Sequence, residues 1–175
     1  QGLNISAIEL MPVNEFNGNI SWGYNPSFYF AVDKYYGPKE ALQSLIDAAH
    51  ARGIAVIVDM VMNHCDWPNP QITMWWEDGA PSEDNPFFNV EAPHNFAFFF
   101  DYNHESEHTR AFTKRVMDYW RETLHVDGFR WDLSSGFTQT SQNSSYDASR
   151  IAIWTDYGQH VWAQDEDFYM ILEHW

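Results

Sequence analysis

The chain of 175 residues carries 9 Lys and Arg against 25 Asp and Glu, which gives a formal net charge of −16. A protein this acidic repels phosphate backbones and anionic lipid surfaces, which argues against nucleic acids and membranes as partners. Hydrophobic residues make up 45% of the chain, enough for a folded core, and a lone cysteine, Cys65, excludes an internal disulfide and a cysteine-based zinc site.

Strands and helices are predicted to alternate along the chain. Short apolar or β-branched runs indicate strands, and apolar residues repeated every three or four positions indicate helices. The first helix starts at Pro38, a favourable first-turn residue, and Gly53 lies where a C-cap is expected. The predicted elements are a strand (5–13), a loop (14–36), a helix (38–53), a strand (54–62), an excursion (64–107), a helix (108–124), a strand (128–133), a loop (134–147), a helix (about 151–161) and a strand (168–172).

This alternation predicts an α/β fold with a parallel sheet and right-handed crossovers. The excursion over residues 64–107 contains five prolines, and a loop this long in a compact domain is usually functional. Active sites of such folds lie at the carboxyl ends of the strands. The polar residues that end the predicted strands are Asp59, Asn63, His64, Asp132 and Glu173.

Arg130 and Asp132 lie two residues apart on the third predicted strand, so their side chains share one face. The opposite face carries three apolar residues, Phe129, Trp131 and Leu133. A buried arginine needs carboxylate partners, which Asp132 and Asp59 can supply. The guanidinium is expected to lower the pKa of Asp132 and keep it ionised, as a nucleophile requires. The alternative is a structural ion pair.

Glu173 closes the last predicted strand, close to Trp175. An apolar wall raises the pKa of a carboxyl and keeps it protonated near neutral pH. A low-pKa carboxylate and a high-pKa carboxylic acid about 5–5.5 Å apart on neighbouring strands are the arrangement for glycosidic cleavage with retention. The alternative is an exposed strand-end glutamate without a catalytic role.

The remaining candidates admit several interpretations. His64 is a metal ligand, a hydrogen-bond donor to a sugar hydroxyl or a structural histidine. A metal-dependent hydrolase would use His64, Asp132 and Glu173, although neither an HxH nor an HExxH pattern supports it. Tyr24 lies on the first loop, where its ring can stack on a sugar. The 18% aromatic content agrees with sugar binding or with an aromatic core.

Four short motifs are spaced along nearly the whole chain. Asp59-Met-Val-Met-Asn-His64 and Gly128-Phe-Arg-Trp-Asp132 are followed by Glu173 at a strand end. Trp22-Gly-Tyr-Asn-Pro26 lies on the first loop, and Phe100-Asp-Tyr-Asn103 lies near the end of the excursion. In this order and spacing they resemble the α-amylase family, glycoside hydrolase family 13, which implies a (β/α)8 TIM barrel.

The resemblance implies roles for these residues. Asp132 would be the nucleophile that forms a glucosyl-enzyme intermediate. Glu173 would protonate the leaving oxygen and then activate water or an acceptor sugar. Arg130 would hold Asp132 in place. The remaining positions would be Asp59 and Asn63, which support the site, and Tyr24 and His64, which line the sugar subsite.

The resemblance also divides the chain and bears on cofactors. Residues 1–63 and 108–175 would form part of the barrel, and residues 64–107 would be a short domain-B-like insertion. Asn63 and Asp101 match positions that bind structural Ca²⁺ in some amylases. Many branching or debranching relatives lack this ion, so no cofactor is required.

By the strand order of the family, the chain runs from barrel strand 2 to barrel strand 5, about half of a barrel. Because an open half barrel exposes two strand edges, the isolated chain is expected to have little activity or to self-associate through those edges. The predicted function is retaining cleavage or transfer at the α-glucosidic bonds of starch- or glycogen-like α-glucans. The alternative is a carbohydrate-binding or interaction module without turnover.

Overall fold

The computed structural model describes residues 2–141 and 145–174. In chain order its elements are β1 (Ala7–Leu10), β2 (Asn14–Phe16), β3 (Pro26–Val32), α1 (Lys39–His50), β4 (Ala55–Met60), β5 (His64–Cys65), α2 (Pro70–Thr73), β6 (Trp76–Glu77), β7 (Ala80–Pro81), β8 (Phe100–Asp101), α3 (Glu107–Leu124), β9 (Gly128–Trp131), a 3-10 turn (Ser134–Gly136), α4 (Ala148–Trp162) and β10 (Tyr169–Leu172).

Four strands form the central sheet, in the order β1-β4-β9-β10. All three pairs are parallel, and the helices α1, α3 and α4 each lie in the connection between one strand and the next. The predicted parallel α/β arrangement is therefore confirmed. Because the strands are parallel neighbours, their carboxyl ends meet at one edge of the sheet.

The two faces of the sheet differ in chemistry, as predicted. Asp59 on β4 pairs in register with Arg130 on β9, so both side chains lie on one face. Phe129 and Trp131 point to the other face and are fully buried in the core. That core contains the apolar sides of β4, β9, α3 and α4, including Val56, Val58, Met60, Val116, Met117, Trp120, Leu124, Ile153, Tyr157 and Val161.

The two long helices begin at side-chain caps. Ser106 accepts a hydrogen bond from the His108 N–H at the start of α3, and Asp147 accepts one from Ser149 N–H at the start of α4. Each cap satisfies a backbone donor that has no partner within the helix. His125 follows the last residue of α3 in the left-handed conformation, and the chain turns from there into β9.

The prediction of a plain loop over residues 14–36 is wrong. β2 and β3 form an antiparallel hairpin there. Three consecutive aromatic residues hide the alternation that would have revealed β3, because Tyr29 points into the core while Phe28 and Phe30 remain partly exposed. The Tyr29 hydroxyl donates to the His64 carbonyl at 2.9 Å, which links the hairpin to β5.

The excursion after β4 has little regular structure. β5 pairs with β8, β6 pairs with β7, and α2 is a single turn. The next helix, α3, begins at Glu107, one residue before the predicted boundary. The division of the chain into a barrel and an insertion over residues 64–107 stays a prediction. Among the described helices, none combines the length and the apolar character needed to cross a membrane.

Candidate active site

Arg130 lies at the centre of a cluster of carboxylates at the carboxyl ends of three strands. Its Nη1 donates to both carboxylate oxygens of Asp59 at 3.0 Å and to Asp132 Oδ1 at 3.3 Å. Its Nη2 lies 2.7 Å from Glu173 Oε1. The two proposed catalytic carboxyls therefore share one face of the sheet and one guanidinium. The Glu173 side chain is 27% exposed and paired with Arg130, so it is not a freely exposed strand-end glutamate, and its catalytic role stays a prediction.

Asp59 anchors the cluster from β4. It is 3% exposed, and besides Arg130 it accepts a hydrogen bond from the Tyr24 hydroxyl at 2.8 Å. Burial raises the pKa of Asp59, and burial together with the bond to Asp59 raises the pKa of Tyr24. The Tyr24 hydroxyl therefore stays protonated and acts as a donor, which fixes its ring at the edge of the site.

The backbone that follows β9 holds Glu173. Glu173 Oε2 accepts from the Leu133 N–H at 2.9 Å, and the Glu173 carbonyl accepts from the N–H and the hydroxyl of Ser134 at 3.0 and 2.7 Å. Leu133 was expected to pack against the helices, but β9 ends at Trp131 and Leu133 has a φ of 47°. The left-handed turn directs Leu133 toward the site instead. Trp175, the expected apolar wall, lies outside the described residues.

Arg130 lowers the pKa of Asp132 as expected, but the net shift of that pKa is upward, so the expectation that Arg130 keeps Asp132 ionised is wrong. Asp132 is 7% exposed, and its burial, together with the negative charges of Asp59 and Glu173, raises its pKa to about 7. The opposing effect of Arg130 is smaller. The physical reason is that the loss of hydration on burial is the largest effect on Asp132, and one guanidinium divided among three carboxylates does not offset it.

The formal charges of this cluster do not cancel. Three carboxylates (Asp59, Asp132 and Glu173) face one guanidinium, so full ionisation leaves two uncompensated negative charges. Arg130 itself is stabilised in its charged form, because its pKa is raised by the surrounding carboxylates. A site with excess negative charge favours a ligand or a transition state that carries positive charge.

A cavity of about 330 Å³ opens above the cluster. Asp132 and Glu173 form its floor, and the predicted residues Tyr24 and His64 line it, together with Leu133 and three phenylalanines, Phe96, Phe98 and Phe99. The sequence reasoning missed these phenylalanines. The signal available was the apolar run 96–100, which contains four Phe residues and is exposed at Phe98 and Phe99.

His64 is held firmly in the wall of this cavity. It is 2% exposed, its Nε2 lies 2.8 Å from the Tyr24 carbonyl, and its Nδ1 lies 3.4 Å from Asn63 Nδ2. The carbonyl can only accept, so Nε2 carries the ring proton. Burial lowers the pKa of His64, which keeps the ring neutral near pH 7. Its ring is tilted against those of Phe98 and Phe99, at centroid distances of 5.9 and 5.5 Å.

Asn63 supports the site from beneath. It is fully buried, its Nδ2 donates to the Phe96 carbonyl at 3.3 Å, and its backbone carbonyl accepts from the Tyr102 N–H. Its Oδ1 lies directly against Gly136, where a Cβ would collide with it. The absence of a side chain at position 136 therefore lets the 3-10 turn approach Asn63 and bring Leu133 to the cavity.

The residues around Asn63 and Asp101 do not fit a Ca²⁺ ion. Asp101 Oδ2 accepts from Asn89 Nδ2 at 2.7 Å, and Oδ1 lies 3.0 Å from the ring nitrogen Nε2 of buried His94, although not aligned as a hydrogen bond. Since His94 Nδ1 accepts from the Phe96 N–H, Nε2 carries the ring proton. An N–H group therefore faces Asp101 Oδ1, which disfavours a cation beside that oxygen, while the buried Asn63 Oδ1 has no hydrogen-bond partner among the described residues.

The alternative of a transition-metal hydrolase fails on geometry as well. Across residues 2–141 and 145–174, no three side chains of His, Cys, Asp and Glu are grouped so that they could hold a metal ion. His64 directs its Nε2 to a backbone carbonyl, and Glu173 directs its carboxylate to Arg130. These residues line one cavity but do not converge on a common ligand position.

Comparisons with known proteins agree with this architecture. A family model described as alpha amylase, catalytic domain, matches residues 1–98. The chain is 35% identical over 133 residues to malto-oligosyltrehalose trehalohydrolase of Arthrobacter ramosus, an alignment that covers 74% of the chain and 21% of that relative. It is 31% identical over 132 residues to the 1,4-alpha-glucan branching enzyme of Nitrosomonas europaea, covering 75% of the chain and 18% of that relative. The chain thus spans about a fifth of each relative.

Among solved structures, the type III pullulan hydrolase from Thermococcus kodakarensis superposes with a TM-score of 0.78 at 22% identity. The match covers 97% of this chain and 30% of that one, and it shows the fold, part of a (β/α)8 barrel. The predicted barrel architecture is therefore confirmed. Since the family model covers more than half of the chain and the sheet carries its polar residues at the expected edge, this chain belongs to the alpha-amylase family.

Proposed function

We propose that this chain carries the catalytic residues of a retaining enzyme that cleaves or transfers α-glucosidic bonds in starch- or glycogen-like α-glucans. The observation that carries the proposal is the shared guanidinium, because Arg130 contacts both Asp132 and Glu173 at the carboxyl end of a barrel-type sheet. The names of the two relatives, a trehalohydrolase acting on malto-oligosyltrehalose and a 1,4-alpha-glucan branching enzyme, support this substrate class.

In the proposed first step, an oxygen of the Asp132 carboxylate attacks the anomeric carbon, and the bond from that carbon to the bridging oxygen breaks. Glu173 must carry a proton at the start of this step, which leaves one uncompensated negative charge in the cluster, and it gives that proton to the departing oxygen. In the second step, Glu173 removes a proton from water or from a sugar hydroxyl, and the oxygen of that group displaces Asp132. Two successive inversions retain the configuration of the sugar.

The charge of the site supports this chemistry. The transition state of glycosidic cleavage resembles an oxocarbenium ion and carries positive charge on the sugar ring. The uncompensated negative charge around Arg130 lies at the floor of the cavity, where that ring would be placed. Fixed charges in a partly buried site stabilise such a transition state without reorganisation of solvent. Hydrolysis and transfer differ only in whether water or an acceptor sugar reacts in the second step. The same two carboxyl residues at the floor of the cavity can therefore support both reactions.

A fluorinated glucosyl fluoride, which forms a covalent intermediate quickly and releases it slowly, tests the proposal on the whole protein, with the 175-residue chain in parallel. We expect mass spectrometry to find the label on the peptide that contains Asp132, and Asp132→Asn to abolish it. Glu173→Gln is expected to retain labelling by the fluoride, which needs no protonation to leave, and to lose turnover of α-glucan.

The matched control is Glu166→Gln, an exposed carboxyl near the opposite end of the sheet, which should keep full labelling and turnover. A label on any other residue, or unchanged turnover in Asp132→Asn, would refute the assignment of the nucleophile. Tight glucan binding with neither label nor turnover would favour the alternative of a carbohydrate-binding module.

Self-association is a further expectation for the 175-residue chain. Within the described sheet, β1 and β10 each pair with a neighbour on one side only, and unpaired strand edges favour pairing with a second chain. Sedimentation velocity in moderate salt, which screens the net charge of −16, measures this directly. A purely monomeric chain over a wide concentration range contradicts the expectation.

A further inference from the structure

The chain leaves β2 through the only Asn-Gly pair of the sequence, Asn17-Gly18. Both residues are exposed to solvent. In such a pair the backbone nitrogen of the glycine can attack the side-chain amide carbon of the asparagine, because glycine has no side chain that shields this nitrogen. The pair is therefore chemically labile wherever the glycine nitrogen is not held by a hydrogen bond.

The backbone nitrogen of Gly18 is accessible in this fold. Within residues 2–141 and 145–174, no group accepts a hydrogen bond from the Gly18 N–H. Gly18 has a φ of 88°, and apart from its chain neighbours no atom lies within 4 Å of the place where a Cβ would be. Neither a hydrogen bond nor a packed side chain therefore blocks an attack by this nitrogen.

The peptide unit that contains this nitrogen is also polarised. Its carbonyl, that of Asn17, accepts a hydrogen bond from Asn25 Nδ2 at 3.0 Å. A hydrogen bond to a carbonyl oxygen draws electron density from the whole peptide unit, in the way that linked hydrogen bonds polarise one another. The Gly18 N–H therefore loses its proton more easily, and the attack requires that loss.

We propose that Asn17 is a site of spontaneous deamidation in the folded protein. The Gly18 nitrogen forms a bond to Asn17 Cγ, the bond from Cγ to Nδ2 breaks, and the proton of the Gly18 N–H passes through water to Nδ2, which leaves as ammonia. The product is a cyclic succinimide. A water oxygen then bonds to one of the two ring carbonyl carbons, the bond from that carbon to the ring nitrogen breaks, and the nitrogen regains a proton from water. The result is an aspartate or an isoaspartate.

The new carboxylate would lie beside the carboxylate of Asp66, which is 9% exposed. Asn17 Nδ2 donates to Asp66 Oδ2 at 3.1 Å, a bond that a carboxylate cannot make. Asp66 joins the hairpin to the segment after β5, because its Oδ2 also accepts from Asn25 Nδ2 at 3.2 Å and its N–H donates to the Pro26 carbonyl at 2.7 Å. Deamidation replaces a donor by a like charge, so the hairpin is held less firmly. This inference does not depend on the proposed function.

Incubation of the folded whole protein in a mildly alkaline buffer, followed by trypsin digestion and tandem mass spectrometry, tests the reaction. The peptide that ends at Lys34 contains an internal control, Asn19, which is exposed and is followed by the β-branched Ile20. We expect the mass gain of deamidation at Asn17 well before any at Asn19. Both aspartate and isoaspartate should form, because the ring opens at either carbonyl.

Asn17→Gln is the matched variant, since it keeps the amide but requires a larger ring to close, and it should stay unmodified. Deamidation of Asn19 as fast as that of Asn17, or formation of aspartate without isoaspartate, would refute the proposed reaction. Reaction in the urea-unfolded protein alone would also refute it, because the folded contacts would then protect Asn17.

Differential scanning calorimetry of Asn17→Asp, which mimics the product, tests the effect on the hairpin. We expect its melting temperature to lie about 2–4 °C below that of wild type near about pH 7. The difference should shrink as the pH falls toward about 4, because protonation of the two carboxyls removes their repulsion. Asn19→Asp, at a neighbouring exposed position without a bond to Asp66, is the control and should change little. Equal melting temperatures for Asn17→Asp and wild type would overturn the predicted loss of the Asp66 contact.

Discussion

Arg130 Nη2 lies 2.7 Å from Glu173 Oε1, closer than Arg130 Nη1 lies to Asp132 Oδ1, at 3.3 Å. The guanidinium is thus not reserved for the proposed nucleophile. It joins the proposed nucleophile, the proposed acid and Asp59 through a planar group whose N–H donors point in fixed directions. A change at Arg130 should therefore disturb the relative position of two catalytic groups at once.

We expect Arg130→Lys to lower kcat on maltodextrin by about 100-fold, because an ammonium is a point charge that cannot bridge three carboxylates in one plane. The measurement is steady-state kinetics of the whole protein, with circular dichroism to show that the fold is kept. Arg115→Lys, at an exposed position on α3, is the control and should retain full activity. Activity of Arg130→Lys within a small factor of wild type would show that a single charge suffices.

The pH dependence of activity follows from the raised pKa of Asp132, which is about 7. Only the ionised carboxylate attacks the sugar, so kcat/KM should fall about tenfold for each pH unit below that pKa. Asp59→Asn should move this acid limb to lower pH, because the charge of Asp59 is the largest electrostatic contribution that raises the pKa of Asp132. A pH profile of kcat/KM for both proteins measures the two midpoints. An unchanged midpoint in Asp59→Asn would contradict the coupling.

The placement of the strand-end residues was predictable from the sequence because it follows from the two-residue repeat of a strand and from the pairing of parallel strands. Spacing of two along a strand put Arg130 and Asp132 on one face, and parallel pairing brought Asp59 beside them. The pKa of Asp132 was not predictable in this way. It depends on how far the side chain is buried and on how one guanidinium is divided among its partners, which the order of residues along the chain does not specify.

The buried, ionised side chain of Asp132 should also lower the free energy of unfolding above about pH 7. The carboxyl of Asp132 has a pKa of about 7 in the folded state and 3.8 in the unfolded state, so the folded state binds the proton more tightly. The protein therefore keeps its full free energy of unfolding below about pH 4 and loses part of it as the pH rises through about 7. The difference in pKa corresponds to about 4 kcal/mol of unfolding free energy. Asp132→Asn removes the charge and keeps the shape, so the variant should be more stable than wild type at about pH 8.

Differential scanning calorimetry at several pH values measures this effect. We expect the melting temperature of Asp132→Asn to exceed that of wild type by at least about 2 °C at about pH 8, and the gain to vanish near about pH 4. Glu83→Gln, at an exposed carboxyl, is the control and should show no gain at either pH. A stability gain that is independent of pH would show that packing, and not the buried charge, is responsible.

His104 should act on stability with the opposite sign. Burial lowers the pKa of His104 to about 3, and the bond to the Met62 carbonyl, which raises that pKa, only partly offsets it. The buried ring stacks on Phe137 at a centroid distance of 3.7 Å. A histidine with a depressed folded pKa stabilises the fold above its unfolded pKa of 6.5, and this contribution is lost as the pH falls from 6.5 toward about 3.

Urea unfolding of wild type and His104→Gln measures the effect. The variant should be less stable near neutral pH, and the difference should shrink by about 2 kcal/mol between about pH 7 and about pH 5, because only the wild type loses stability as its histidine titrates. Gln159→Ala, at an exposed position on α4 that carries no titratable group, should show a difference that does not vary with pH. A constant difference for His104→Gln would rule out the linkage.

The hairpin and the phenylalanine wall show where sequence reasoning loses information. Stretches of consecutive aromatic residues show no alternation of polar and apolar side chains. The sequence around Tyr29 and Phe98 therefore did not indicate which way these side chains point. Both were resolved only by contacts with residues far away along the chain, such as the bond from Tyr29 to the His64 carbonyl. Motifs of a few polar residues therefore located the floor of the site, while its walls depended on tertiary packing.

The contact between His94 and Asp101 predicts that stability does not depend on calcium. Because the N–H of the His94 ring faces Asp101 Oδ1, which disfavours a cation beside that oxygen, excess EDTA and millimolar CaCl₂ should give the same melting temperature. His94→Ala leaves a buried carboxylate oxygen without this neighbour and should lower the free energy of unfolding by about 2 kcal/mol. Asn95→Ala, at the adjacent exposed position, is the control and should change little. A rise in melting temperature on adding Ca²⁺ to wild type would establish a calcium site.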